Sequence, residues 1–239
     1  MTTIPAHNMP FRELNRQIKA AEGNVRIDGC CGQRFIGSGL RGKTVTIHGT
    51  PGNALGAYLD GAVIEVYGNA QDATGDTMND GRIVIHGSAG DALGYAMRGG
   101  AIYVRGNAGY RTGIHMKEYK ERKPAIVIGN QVGSFLGEYL AGGLIVVLGM
   151  DTAAIPVGNF TGTGMHGGKI FIRTEIEPAE LPAQVTVDIA SAADLQEITP
   201  HLLEFAGHFR LEARTLLGSR FWVLKPNAQN PYKQLYTAS

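Results

Sequence analysis

The stretch Gly87–Arg105, GSAGDALGYAMRGGAIYVR, decides the fold, because close variants of it recur before and after it along the chain. It reads as a glycine-rich turn (Gly87, Gly90, Gly94), a large apolar residue (Met97), a glycine pair (Gly99, Gly100) and a short strand with Ile102 and Val104 on one face. Aligned on the middle glycine, the copies fall at Gly37, Gly56, Gly75, Gly94 and Gly113, each 19 residues from the last, and then at Gly137 and Gly162 after 24 and 25 residues. Three residues beyond each of these glycines stands Leu40, Leu59, Met78, Met97, Met116, Leu140 or Met165.

A 19-residue period with strand signals, glycine corners and no helical periodicity predicts an all-β chain, a right-handed parallel β-helix of about seven coils with short flanking helices at the N- and C-termini. Leucine-rich repeats have a similar period but need a Leu-x-x-Leu-x-Leu framework, and calcium-binding nonapeptide repeats need a regular Asp; neither is present. Alternation along the strands places Ile83 and Ile85, Ile102 and Val104, and Ile126 and Ile128 inward, with Ala70, Ala89 and Ala108 in the turns and the Leu/Met ladder opposite. Asn69, Asn107 and Asn130 follow corner glycines, where their amides could ladder along the stack.

Outside the repeat, residues 1–24 read as an N-terminal helical cap, with Asn8 as its capping residue and Phe11, Leu14, Ile18 and Ala21 at helical spacing up to Gly23. Residues 25–173 are the β-helix. Residues 174–239 read as a C-terminal strand and helix appendage for packing or docking, with a strand at Val185–Ile189, a capping box at Ser191 and Asp194, and an amphipathic helix from Pro200 to Gly218. Two coils carry insertions, Lys117–Lys123 and Met150–Pro156, the first highly charged and expected to be a solvated loop.

A net charge of +1 gives no footprint for nucleic acid or an anionic membrane. The only two cysteines, Cys30 and Cys31, are adjacent, which suits a reducing compartment, and no apolar run is long enough to span a bilayer. A cytoplasmic location is the expectation.

Gly37–Thr44, GSGLRGKT, matches the phosphate-loop pattern, and GTGMHG at Gly162–Gly167 repeats the dinucleotide pattern that its first six residues also match. Both patterns need a helix downstream to aim N–H groups at phosphate, whereas Thr44–Ile47 is β-branched, so the glycines are read as coil geometry. His48 and His86 share one coil position two coils apart, and His115 and His166 are expected to do the same; that separation is too wide for a shared metal. The Leu/Met ladder reads as core filler and Cys30–Cys31 as a buried or capped pair. The pattern therefore offers no catalytic residue, no cofactor-binding residue and no metal ligand in this chain.

The segments GNAGYRTG, GEYLAGGLIVVLG and VGNFTGTGMHGGKIFI resemble the GXGXG-repeat domain that forms the C-terminal β-helix of the glutamate synthase large subunit. RELN with GQRFIGSGL resembles the start of that domain, and FWVLKP resembles its C-terminal extension. The resemblance implies a noncatalytic scaffold subunit, encoded separately, of a glutamate-synthase-like complex. Its partners would be an amidotransferase subunit and an FMN-binding subunit, with FMN and Fe–S clusters held by those partners, and the product would be glutamate or a relative such as N-methylglutamate. The β-helical subunit of formylmethanofuran dehydrogenase, a tungsten or molybdenum enzyme, resembles the same repeat and is the alternative. A self-assembling homo-oligomer is the third reading.

Overall fold

The structure is a computed structural model that describes residues 1–227. Nine strands lie side by side in chain order: β1 (Thr2–Pro5), β2 (Val25–Cys31), β3 (Thr44–Thr50), β4 (Asp60–Tyr67), β5 (Asp80–Ile85), β6 (Ala101–Val104), β7 (Ala125–Ile128), β8 (Ala141–Val147) and β9 (Gly167–Arg173). All neighbours among them are parallel, so each connection is one turn of a β-solenoid of about eight turns. The seven expected coils are present. The extra turn arises because Thr2–Pro5 is itself a strand, paired with Val25–Asp28.

The core is a set of stacked columns. One runs Val25, Val45, Ile64, Ile83, Ile102, Ile126, Ile145 and Ile170; the next runs Ile27, Ile47, Val66, Ile85, Val104, Ile128, Val147 and Ile172. Every one of these side chains is fully buried. Parallel pairing in register puts like side chains over one another, and the β-branched shapes suit the pleat. Ala70 and Ala89 form a parallel bridge on the turn side, and the Leu/Met ladder closes the core opposite the sheet.

Each end is covered. Helix α1 (Phe11–Ala20) lays Leu14 and Ile18 over the first coil. Asn8 does not cap it: the capping position is Pro10, with no side-chain bond, and Asn8 has φ 55° in the turn after β1. The helix also ends at Ala20, short of Gly23. At the far end, β10 (Val185–Ile189) and β11 (Phe221–Pro226) complete an eleven-stranded sheet, β11 antiparallel to β9 and β10 antiparallel to β11.

Between those strands the chain forms α2 (Ala192–Phe209) and α3 (Ala213–Leu217). The Ser191–Asp194 capping box is present, so the helix starts well before Pro200, which lies inside it. It ends at Arg210, whose left-handed backbone (φ 54°) turns the chain into α3 before Gly218 is reached. Ile198, Leu202, Phe205 and Ala206 of α2 cover the outer faces of Val84, Tyr103, Val127, Val146 and Phe171, a second core on the solvent side of the sheet. Residues 228–239, the end of the expected C-terminal segment, lie outside the described residues.

Candidate functional site

The recurring turn presents the most regular surface of the molecule. Counting from the central glycine, the backbone is left-handed at positions −2, 0 and +2 in every coil: in the coil of Gly94, φ is 54° at Ala92, 67° at Gly94 and 50° at Ala96. Position −1 points inward (Ile36, Leu55, Thr74, Leu93, Thr112, Leu136, Thr161), as does +3, the Leu/Met ladder. Thr74, Thr112 and Thr161 are buried and satisfy their hydroxyls by donating to the carbonyls of Gln71, Gly109 and Gly158.

Backbone hydrogen bonds account for the turn. The glycine N–H reaches the preceding coil, as in Gly94 to Thr74 O at 2.8 Å, and the N–H of the ladder residue closes back on the glycine carbonyl, as in Met97 to Gly94 O at 3.1 Å. The N–H at +2 reaches the following coil, as in Ala96 to Ile114 O at 2.9 Å. Such complete pairing allows non-glycine residues to hold a left-handed backbone, which costs on the order of 1 to 2 kcal/mol each.

Asn69 and Asn107 do form ladder contacts, each Oδ1 accepting a backbone N–H of the next coil, from Ser88 at 2.8 Å and Gln131 at 3.1 Å. Asn130 departs from this pattern and donates to Asp151 in the second insertion.

Large side chains at positions −3, −2, +1 and +2 are carried into solvent along this ridge. Phe35, Tyr58, Tyr95, Tyr110 and Phe160 are exposed, and Phe135 and Tyr139 are half-buried beside them. Phe135 stacks on Phe160 at 5.0 Å and takes the Arg111 guanidinium at 5.0 Å, while Tyr139 stacks on His115 at 5.1 Å. His166 does not share that position: it lies four residues after Gly162, and the place equivalent to His115 is Gly164, against the Tyr139 ring. His48 and His86 are in one column, separated by Tyr67, with stacking distances of 5.0 and 4.3 Å.

On the opposite side, α2 is fastened to the sheet by two polar clusters that sequence reasoning missed. Tyr103, fully buried, donates to Glu204 at 2.6 Å, and Glu204 also pairs with Arg82. Burial, then the hydrogen bond from Tyr103 to Glu204 and that carboxylate's charge, push the phenol pKa well up; burial holds the nearby His201 below the ordinary imidazole value. At the helix start, Asp194 accepts from Lys169 at 2.8 Å and Lys225 at 3.1 Å, and Glu197 pairs with Lys169 and, at 3.1 Å, with Lys123. Burial alone would raise the Asp194 carboxyl, but the bonds from Lys169, Ser191 and Lys225 outweigh it and hold it far below the carboxylate range. The only sequence signal for a covered face was the loss of alternation in AIYV, AIVI and LIVV, which reads as burial on both sides.

The charged insertion is solvent-exposed throughout, as expected, and it is also tethered. Tyr119 and Arg122 exchange backbone bonds at 3.1 Å, Arg122 reaches Asn79 O at 3.1 Å and Asp60, and Lys123 reaches Glu197, so the segment is strapped across coils and onto α2. Gly99 and Gly142 lie beneath it, where a Cβ would meet Arg122 Cβ at 3.1 Å and Glu118 N at 2.6 Å. The phosphate-loop lookalike also has a structural role: Thr44 begins β3, and Lys43 Nζ donates to the carbonyls of Ile18, Lys19 and Ala21 at the end of α1.

Cys30 is buried and donates to Gln33 Oε1 at 3.3 Å, and burial pushes its thiol up to about 11; Cys31 is exposed. Gln33 in turn donates to Ala6 O at 2.8 Å, tying the first strand to the coil below. Among the described residues no three His, Cys, Asp or Glu side chains are placed to hold a metal ion, and no helix is long and apolar enough to cross a membrane.

The recurring turn has counterparts elsewhere. The chain is 42% identical over 249 residues to an uncharacterized protein of Methanocaldococcus jannaschii, the alignment covering 98% of this chain and 95% of that one. Its fold is similar to a chain in the crystal structure of the formyltransferase/hydrolase complex (FhcABCD) from Methylorubrum extorquens in complex with methylofuran, with a TM-score of 0.65 at 20% identity over 92% of this chain and 89% of the other. The model of the GXGXG motif family matches residues 6–222, from Ala6 just after β1 to Trp222 in β11, and the chain therefore belongs to the GXGXG motif family.

Proposed function

We propose that this chain is the noncatalytic β-helical scaffold subunit of a multi-subunit enzyme, and that the enzyme is a glutamate-synthase-like complex. In this reading the amidotransferase and FMN-binding chains are separate partners and carry the cofactors. The observation that carries it is the family match over residues 6–222 combined with what the turn ridge exposes. The outer face of β5 to β9 is covered by the chain's own α2, while a row of aromatic side chains on the ridge remains in solvent. Aromatic side chains with little rotamer freedom are well suited to burial against another protein. The segments resembling glutamate synthase also sit at both ends of the solenoid, RELN within α1 and FWVLKP as β11.

The fold likeness to a chain of the FhcABCD complex favours a second reading, a subunit of a formylmethanofuran-dehydrogenase-type or related one-carbon assembly. The experiment that separates them is affinity purification of the tagged chain at native abundance, with partners identified by mass spectrometry. Recovery of amidotransferase and flavin-binding chains, with glutamine-dependent synthesis of glutamate or a related amino acid by the eluate, supports the first. Recovery of formyltransferase/hydrolase chains, or of molybdopterin- or tungstopterin-binding chains, supports the second. A stable homo-oligomer with no such chains sinks both. Under the first reading, replacing Tyr95 and Tyr110 together with Ser lowers partner recovery by about tenfold or more while leaving the core columns intact.

A further inference from the structure

Beneath α3, on the outer side of the sheet, a cavity of about 320 Å³ is bounded by Arg105, Arg173, Glu212 and Thr215, with Met150, Leu211 and Leu216 as its apolar wall. That volume is at the small end of ligand-sized pockets, roughly 300 to 1,000 Å³. Val104, Ile128, Val147 and Ile172 are register partners, so the residues that follow them, Arg105, Gly129, Leu148 and Arg173, form one outward column. Gly129 leaves a gap between the two arginines into which Met150 reaches; a Cβ at 129 would lie 2.6 Å from Met150 Cε.

Arg105 and Arg173 are half-buried in this cavity, and Glu212 and Thr215 are exposed at its rim. Among the described residues the Arg105 and Glu212 side chains make no hydrogen bond or ion pair. Arg173 donates only from Nη1, to Leu148 O at 3.0 Å, and its Nε is buried without a partner. Two half-buried guanidiniums lining one cavity lose solvation, and that cost is offset by a carboxylate, which matches the planar fork. A lone anion would be opposed by Glu212. The charge set of two cations and one anion around an apolar wall is complementary to two carboxylates and one ammonium on a short hydrocarbon stem.

We propose that this cavity binds a small dicarboxylic amino acid. Arg105 and Arg173 take its carboxylates, Glu212 its ammonium, and Met150, Leu211 and Leu216 its methylene stem. The inference does not rest on the identity of any complex, since binding is read on the purified chain. Isothermal titration calorimetry at low ionic strength, with L-glutamate, L-aspartate, glutarate and inorganic phosphate as probes, tests it.

The expected result is saturable binding of L-glutamate or L-aspartate, weakened by about tenfold or more in Arg105→Gln and in Arg173→Gln. Arg105 has no partner to lose, so its replacement leaves thermal unfolding unchanged and the binding loss is not a folding defect. Glu212→Gln should weaken the amino acids and strengthen glutarate, which has no ammonium to pair with Glu212. No binding of either amino acid at millimolar concentration, binding indifferent to Arg105→Gln, or phosphate binding as tightly as the amino acids would each overturn the assignment.

Discussion

At the central glycine of six of the seven turns, all but Gly162, a single methyl group is the difference between a closed core and a strained one. A Cβ on Gly94 would point inward and lie 2.5 Å from Ile126 Cδ1, and the equivalent distances are 2.7 Å at Gly37 and 2.4 Å at Gly113. Each of these isoleucines belongs to the strand of the next coil, so the glycine is required by close approach to a neighbouring coil, and the contact is made by the isoleucine column across the core. Gly94→Ala should cost on the order of 2 to 4 kcal/mol, combining overpacking with a left-handed alanine. Ile126→Val removes the colliding methyl group at a cost of about 0.5 to 1.5 kcal/mol. In urea denaturation the double variant should be less destabilised than the sum by about 1 kcal/mol, and strict additivity would rule out the collision. The glycines and the Leu/Met ladder were legible because their spacing is invariant over five coils. The buried threonines at 74, 112 and 161 were not, since Thr alternates with Leu and Ile there and its hydroxyl is satisfied three residues back.

At the level of elements, the helices were legible as helices and not as partners of the sheet. The Ser191–Asp194 box announced α2, yet Asp194 does more than cap: with Lys169 and Lys225 it fixes the helix to β9 and β11. Those lysines are distant in sequence, and nothing local marks the contact. The cluster makes docking acid-sensitive. Asp194 has a depressed folded-state pKa, so the unfolded chain takes up its proton first as pH falls. Its contribution is full above the ordinary carboxylate range and is lost progressively below about pH 5. Trp222, the only tryptophan, lies on β11 and donates to Thr174 O at 3.2 Å, which makes its fluorescence a reporter of this end of the sheet. Denaturation followed at Trp222 should show wild-type stability falling from pH 5 to pH 2, and Asp194→Asn should be less stable at pH 7 with a flatter dependence in that window. Equal slopes for the two proteins would show that another carboxylate controls the acid response.

For the whole molecule, the stack is close to a one-dimensional object whose coils pair with their neighbours, so its two ends decide whether it stays single. The coil count fell one short in the sequence because TTIP is too short to show alternation and its pairing with β2 depends on the intervening helix. Function was less legible than fold for a related reason: the repeat specifies inward side chains, whereas contacts with other molecules depend on outward ones, which vary from coil to coil. The first end is the more exposed test. Strand β1 covers the edge of β2, and Leu14 and Ile18 cover the core around Val25 and Ile27. Removing residues 1–24 would leave the β2 edge unpaired beside an open apolar cross-section, a template for pairing with another chain. The shortened chain should therefore sediment as dimers or larger species at concentrations where the full chain does not, and should unfold at lower temperature. A truncated form with the sedimentation and melting behaviour of the full chain would mean that the stack is sealed by its coils alone, and that β1 and α1 serve as a surface for something else.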